Sequence, residues 1–200
     1  MKKGSSVSKA ALDSAVIDTQ AELALAGFWN EGSRLLKTEV HWCLIPNHDV
    51  LSAGGFFYHD HPSSIGHLLG FEVGHIYIPK WIPWPWGTWE QERGSLRDYV
   101  RHEYGHALAH YYPKLIQQGP QFRAVFGKGY WSKVEFEYDP EFFVTQYAAE
   151  KPMEDFCETF MVYLRSRGSL PASFGTPSIK RKWKFIRDLG RVVASGGSRW

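Results

Sequence analysis

Apolar residues recur at helical intervals near the start of the chain and through most of its second half. Residues 9–29 place Leu12, Val16 and Leu23 among polar positions, which predicts an amphipathic helix. A second short helix is expected at 31–37. Beyond residue 90, the same spacing predicts helices at about 94–112, 140–148, 152–167 and 178–194. The second half of the chain is therefore expected to be mainly helical.

Two shorter stretches have the pattern of strands. Residues 39–45 and 71–78 are rich in β-branched and aromatic side chains, and Pro46 and Pro79 bound them. The cluster of tryptophan and proline at 81–89 follows, and we expect its prolines to exclude regular structure. Together these patterns predict an α+β fold with helices packed on a small sheet. We divide it into an N-terminal helical extension, 1–38, and a main domain, 39–200.

The amino-acid composition is typical of a single globular domain. The chain has 200 residues, of which 44% are hydrophobic, 22% charged and 16% aromatic, which excludes disorder and a coiled coil. Its formal charge of +2 demands no polyanionic partner, so nucleic-acid binding is not expected. The basic side chains near the C-terminus fit a solvated helix face better than a membrane contact. Oligomeric state is not indicated.

Nothing in the sequence indicates a membrane or an export route. No window reaches the roughly 18 apolar residues of a membrane span, and the basic start Met1-Lys2-Lys3 is not followed by an apolar stretch. We therefore expect a cytoplasmic location, with non-classical export left open. Two cysteines, Cys43 and Cys157, allow at most one intramolecular disulfide, so a disulfide scaffold is excluded.

The motif with the clearest chemistry is His102-Glu103-Tyr104-Gly105-His106, an H-E-x-x-H sequence in a predicted helix. Positions i and i+4 project from one face, so His102 and His106 can bind one metal ion. Zinc bound by neutral nitrogen and carboxylate ligands activates water at neutral pH. Glu103, beside that ion, is placed to accept the proton of the water.

A catalytic zinc site needs a third protein ligand. The metzincin pattern is excluded, because Ala109 and Tyr112 occupy the positions of its glycine and third histidine. His110 lies eight residues after His102, about 12 Å along a helix, which is too far for one ion. A better source is the predicted helix at 152–167, where Glu154 and Glu158 share a face. One of these two can bind the metal while the other orients a histidine.

These motifs resemble the gluzincin zinc peptidases of the anthrax lethal factor type and the related zinc-binding metallopeptidases. The resemblance covers roughly residues 97–164 and rests on H-E-x-x-H, on Glu154-Asp155-Phe156-Cys157-Glu158, and on a tyrosine seven residues before Glu154. It implies a zincin-like domain in which the sheet's edge strand packs on the helix of the active site. Cys157 departs from the family, where a small alanine is expected.

Carried over by position, the resemblance implies one Zn²⁺ per chain and a protein or peptide substrate. Three residues become the zinc ligands, His102, His106 and Glu154. Glu103 becomes the general base and Tyr147 the group that stabilises the oxyanion. Glu158 becomes the carboxylate that orients a ligating histidine. The resemblance names neither the substrate nor the cleavage specificity.

Several alternatives stay open. A non-catalytic domain would use the same ion to brace two helices, with His110 or Cys157 as a fourth ligand, and would bind a partner through its aromatic patch. A deformylase-like hydrolase would need Cys43 as a ligand. His59-Asp60-His61 is a weaker candidate for a second metal site. Residues 71–78 fit either a cleft-lining edge strand or an inner strand, and residues 81–89 either a cleft wall or a cap on the core.

Overall fold

The computed structural model describes residues 4–43, 56–59, 71–83 and 95–200. Within them lie the helices α1 (Lys9–Leu25), α2 (Leu96–Tyr111), α3 (Pro120–Phe126), α4 (Pro152–Arg165) and α5 (Pro177–Ala194). The strands are β1 (Gly4–Ser6), β2 (Val40–Cys43), β3 (Phe56–Phe57), β4 (Ile76–Pro79) and β5 (Trp81–Pro83). Short 3₁₀ turns occur at Arg34–Lys37, Tyr147–Ala149 and Ala172–Phe174. The prediction of an α+β fold is confirmed.

The sheet has β4 at its centre. β2 pairs with β4 in parallel and β3 pairs with it antiparallel, giving the order β2-β4-β3. β4 is therefore an inner strand, and of the two readings of residues 71–78 the edge-strand reading is wrong. The strand is also shorter than predicted, because Gly74 adopts a positive φ of 89° in the turn that precedes it. Among the described strands, β3 is the edge strand that packs beside α2.

A second, two-stranded ribbon corrects another expectation. β1 and β5 pair antiparallel, with Ser5 opposite Ile82. The prolines of the 81–89 cluster therefore do not exclude regular structure in the first residues of the cluster. Trp81 and Ile82 precede Pro83, and both keep the backbone N–H group that a strand needs for hydrogen bonding. The rest of that cluster lies outside the described residues. Its expected place at the cleft or on the core remains a prediction.

Three segments differ from the helices that the sequence predicted. Residues 140–146 form turns rather than the predicted helix, because Asp139 accepts backbone bonds from Phe142 and Phe143 and its side chain accepts from Glu141. α3 was not predicted, because seven residues between Gly119 and Gly127 are too few to show a clear period. The expected helix at 31–37 is only a 3₁₀ turn.

α1 packs into the same core as the later helices. Arg101 on α2 makes two bonds to the Glu22 carboxylate on α1, of 2.7 and 2.6 Å, and a third of 2.5 Å to Asp98. Leu12 and Leu23 are buried in the common hydrophobic core. The guanidinium thus fixes α1 against the helix that carries the H-E-x-x-H motif. The proposed boundary at residue 38 stays a prediction.

α5 is joined to α4 through a buried ion pair. Lys182 is buried, unlike the exposed basic residues around it, and its Nζ lies 2.6 Å from Asp155 and 4.6 Å from the centre of the Phe143 ring. Burial raises the pKa of Asp155 to about 6, although the lysine opposes this shift. Because Asp155 follows Glu154, this pair fixes the start of α4 where that residue projects.

α2 and α4 cross in close contact at the centre of the molecule. A Cβ placed on Gly105 would lie 3.0 Å from Sγ and 3.1 Å from Cα of Cys157. Both helices are buried along most of their length. Glycine therefore lets the two backbones approach closely enough for residues one turn away on each helix to meet.

Among helices long enough to span a bilayer, none in the described part of the chain is sufficiently apolar.

We expect Gly105→Val to lower the free energy of unfolding by about 1–3 kcal/mol, because the branched side chain forces α2 and α4 apart. Gly32→Val is the matched control, since a Cβ on Gly32 would meet no atom closer than 3.5 Å. Denaturant unfolding of both variants measures the difference. Equal stabilities of Gly105→Val and the wild type would contradict the close crossing.

Candidate metal centre

α2 presents the two histidines of the motif on one buried face. His102 and His106 lie one turn apart, and their Nε2 atoms are 3.2 Å from each other. The face points toward α4, because His102 contacts two carboxylates of that helix. The spacing of the motif thus brings two imidazole nitrogens to one point, as the sequence predicts.

α4 contributes a carboxylate to the same point. Oε2 of Glu154 lies 3.2 Å from Nε2 of His102 and 3.5 Å from Nε2 of His106. Burial alone would raise the pKa of Glu154, but its contacts with His106 and His102 outweigh burial and hold that pKa well below its usual range. Glu154 therefore faces both histidines as an ionised acid, although 48 residues separate it from His106 in sequence.

Glu158, one turn further along α4, orients His102. Its Oε1 lies 2.7 Å from Nδ1 of His102, so Nδ1–H donates to the carboxylate and the lone pair of the ring is on Nε2. The other oxygen accepts a bond of 2.8 Å from the hydroxyl of Thr145. Thr145 in turn accepts from the backbone N–H of Ala148. Glu158 thus links His102 to the turn that carries Tyr147.

Tyr130 holds the second histidine. Its hydroxyl lies 3.1 Å from Nδ1 of His106 and is also within hydrogen-bonding reach of Cys157. Burial raises the pKa of Tyr130 well above its ordinary value, so the phenol stays neutral. When Nδ1–H of His106 donates to this oxygen, the lone pair on Nε2 points toward His102 and Glu154.

Nε2 of His102, Nε2 of His106 and Oε2 of Glu154 are all electron-pair donors of the kind that bind a cation. Two imidazole lone pairs and one carboxylate oxygen converge with separations of 3.2, 3.2 and 3.5 Å. Tetrahedral zinc with ligands at about 2.0–2.1 Å would separate them by about 3.3–3.4 Å. Oε2 of Glu154 also makes no hydrogen bond within the described part of the protein, which is costly for a buried acid. The donor set therefore fits Zn²⁺.

Glu103 and Tyr147 complete the set of predicted residues. Glu103 is buried beside His102, and its Oε2 has no hydrogen-bond partner among the described residues. Tyr147 is half-buried, and its ring centre lies 5.8 Å from that of His102. All six predicted site residues thus lie in one region.

Cys157 offers a different third ligand. Its Sγ lies within 4.8 Å of a ring nitrogen of both His102 and His106, so these three residues also form a possible metal-binding group. Glu154 offers an oxygen that lies 3.2 and 3.5 Å from Nε2 of the two histidines and makes no hydrogen bond among the described residues. We therefore favour the glutamate. Both cysteines are free thiols.

Other candidate ligands lie elsewhere. Cys43 is on β2, with its Sγ 3.8 Å from the carbonyl of Ile78. The ring of His110 packs 5.3 Å from that of Phe57. Asp60 and His61, which would form a second metal site with His59, lie outside the described residues.

His59 itself lies beside the main site. Its ring centre is 6.0 Å from that of His106 and 5.2 Å from that of Trp131. Burial, with the nearby His106 and His110, lowers the pKa of His59 to about 3, so the ring is neutral. This neighbour was predicted only as part of a separate motif.

Sequence reasoning missed Tyr130 and Thr145, which hold His106 and Glu158 in place. Tyr130 is 24 residues from its partner and belongs to no motif. Thr145 could have been found from its position three residues before Ala148, where a threonine hydroxyl commonly accepts a backbone N–H.

No protein-family model, curated protein or solved structure matches this chain.

We expect Cys157→Ala to retain zinc in this site and Glu154→Ala to lose it, because only the glutamate supplies the charged oxygen that faces both histidines. Zinc content per folded chain, measured after dialysis against zinc-free buffer, distinguishes the variants. The opposite pattern, with zinc lost only from Cys157→Ala, would replace Glu154 by the thiolate as third ligand.

Proposed function

We propose that the protein is a zinc-dependent peptidase of zincin-like architecture, with His102, His106 and Glu154 as the zinc ligands. The observation that carries the proposal is the buried acid Glu103, whose Oε2 has no hydrogen-bond partner among the described residues. A metal that only braced two helices would not need this acid, and burying a carboxylate oxygen without a partner is unfavourable. A general base, in contrast, must keep an oxygen free for a proton.

The chemistry follows from the residues around the ion. Zinc, when bound, supplies a Lewis acid that polarises a peptide carbonyl and makes water more acidic. Glu103 accepts the proton of the attacking water on Oε2 and later delivers it to the leaving amine. Glu158 and Tyr130 keep both histidines in the tautomer that leaves Nε2 unprotonated.

Tyr147 is proposed to stabilise the oxyanion. Its ring lies beside that of His102, and its turn is fixed by Thr145 through the backbone of Ala148. A phenol donor in this position would contribute about 2–4 kcal/mol to stabilising the transition state, as other oxyanion donors do. An extended substrate backbone is proposed to pair with β3, the described edge strand beside α2.

The alternative is a non-catalytic domain braced by zinc. The position of Cys157 Sγ within 4.8 Å of a ring nitrogen on each histidine favours it, since a structural site has four protein ligands and leaves no position for water. This alternative gives Glu103 no role. Variants of Glu103 therefore separate the two functions.

We expect Glu103→Gln to lower kcat/KM for peptide hydrolysis by about 10²–10⁴-fold while zinc stays bound, because the amide keeps the shape of the acid but accepts no proton. Digestion of a peptide library by the wild type identifies a substrate, and the same substrate then measures the variant.

Glu137→Gln is the control, since it neutralises an exposed acid outside the site. It should cleave as fast as the wild type. A zinc-loaded Glu103→Gln variant with wild-type hydrolysis would rule out this mechanism. Zinc binding without cleavage of any library peptide by the wild type would favour the braced domain.

A further inference from the structure

A second group of metal-binding side chains lies on the sheet. In the register of β2 and β4, Val40 is opposite Ile76, which places Glu39 opposite His75 and His41 opposite Tyr77. Because side chains alternate between the faces of a strand, these four project from the same face. None of them takes part in the candidate metal centre, so this group needs its own explanation.

The two histidines of this face are already in contact. Nε2 of His41 lies 2.9 Å from Nδ1 of His75. The ring of His41 is also stacked on that of Tyr77, with ring centres 4.8 Å apart. The strands and this stacking therefore hold the nitrogen pair in place before any ligand binds.

Two carboxylates flank the nitrogen pair. Oε2 of Glu39 lies 3.9 Å from Nε2 of His41, and Oε2 of Glu72 lies 3.8 Å from Nδ1 of His75. The hydroxyl of Tyr77 accepts a 2.6 Å bond from the backbone N–H of Glu72, which fixes that residue near the histidines. Both glutamate side chains are exposed, at 70% and 74%, so each can move toward an ion without breaking a packed contact.

We propose that these residues form a second Zn²⁺ site, with His41, His75 and Glu39 as ligands and Glu72 as a fourth donor. One ligand atom from each of the first three already lies within 4.8 Å of the others. The nitrogen separation of 2.9 Å is within about 0.5 Å of the about 3.3–3.4 Å between two ligands of tetrahedral zinc. The two histidines and the two glutamates supply the four donors of such a site.

The chemistry of the donors distinguishes this site from the buried one. Two imidazoles select zinc and similar ions over magnesium or calcium, which prefer oxygen ligands. The exposed glutamates make the site accessible from solvent, so its ion exchanges more readily than the ion held in the core. Because its ligands come from β2 and from the segment that leads into β4, the ion would join these parallel neighbours and raise the melting temperature.

Equilibrium dialysis of the full chain against Zn²⁺ tests the proposal. We expect the wild type to bind one more zinc than His41→Ala, and Glu39→Gln to bind the same ion more weakly. Glu135→Gln, which changes an exposed acid elsewhere, should behave as the wild type. Zinc should also raise the melting temperature of His102→Ala, in which only the buried site is disrupted.

The result does not depend on the buried site. If His102→Ala and the wild type bound equal amounts of zinc, the proposed peptidase centre would fail while the difference between wild type and His41→Ala still supported the sheet site. Equal zinc binding by wild type, His41→Ala and Glu39→Gln would overturn the sheet site. The contact between His41 and His75 would then be only a hydrogen bond between two imidazole rings.

Discussion

The close crossing of α2 and α4 is the constraint on which the candidate metal centre depends. Gly105 lets the backbone of one helix approach Cys157 of the other, and this places the acid of α4 beside the two histidines of α2. Three acceptors then face one another in a buried space, which is unfavourable unless a cation lies among them. A zinc ion bound at this point, as we propose, would offset that cost.

Groups around the centre hold its side chains in place. Glu158 and Tyr130 fix one nitrogen of each histidine, and Thr145 connects Glu158 to the turn of Tyr147. Further out, Arg101 holds α1 against α2, and Lys182 holds the start of α4 through Asp155. Each of these buried charges has a partner, whereas Oε2 of Glu103 has none among the described residues. That contrast is why a proton-transfer role suits Glu103.

The sequence allowed prediction of the parts that local spacing determines. The hydrophobic patterns of short strands and later helices indicated the α+β class. H-E-x-x-H and the acids four residues apart indicated two helix faces and hence the region of the candidate site. Features set by contacts distant in sequence were not predictable. Tyr130 meets His106 only because α3 and the following loop return to α2, and Asp139 converts a helix-like stretch at 140–146 into turns. The inner position of β4 likewise depends on pairing with β3, which no local pattern encodes.

Anomalous diffraction at the zinc edge, from crystals of the zinc-loaded protein, tests the central claim most directly. The account predicts a peak between α2 and α4, with Nε2 of His102, Nε2 of His106 and a carboxylate oxygen of Glu154 at about 2.0–2.2 Å from it. A peak bound by Cys157 instead, or an acid of α4 turned away from both imidazoles, would contradict it.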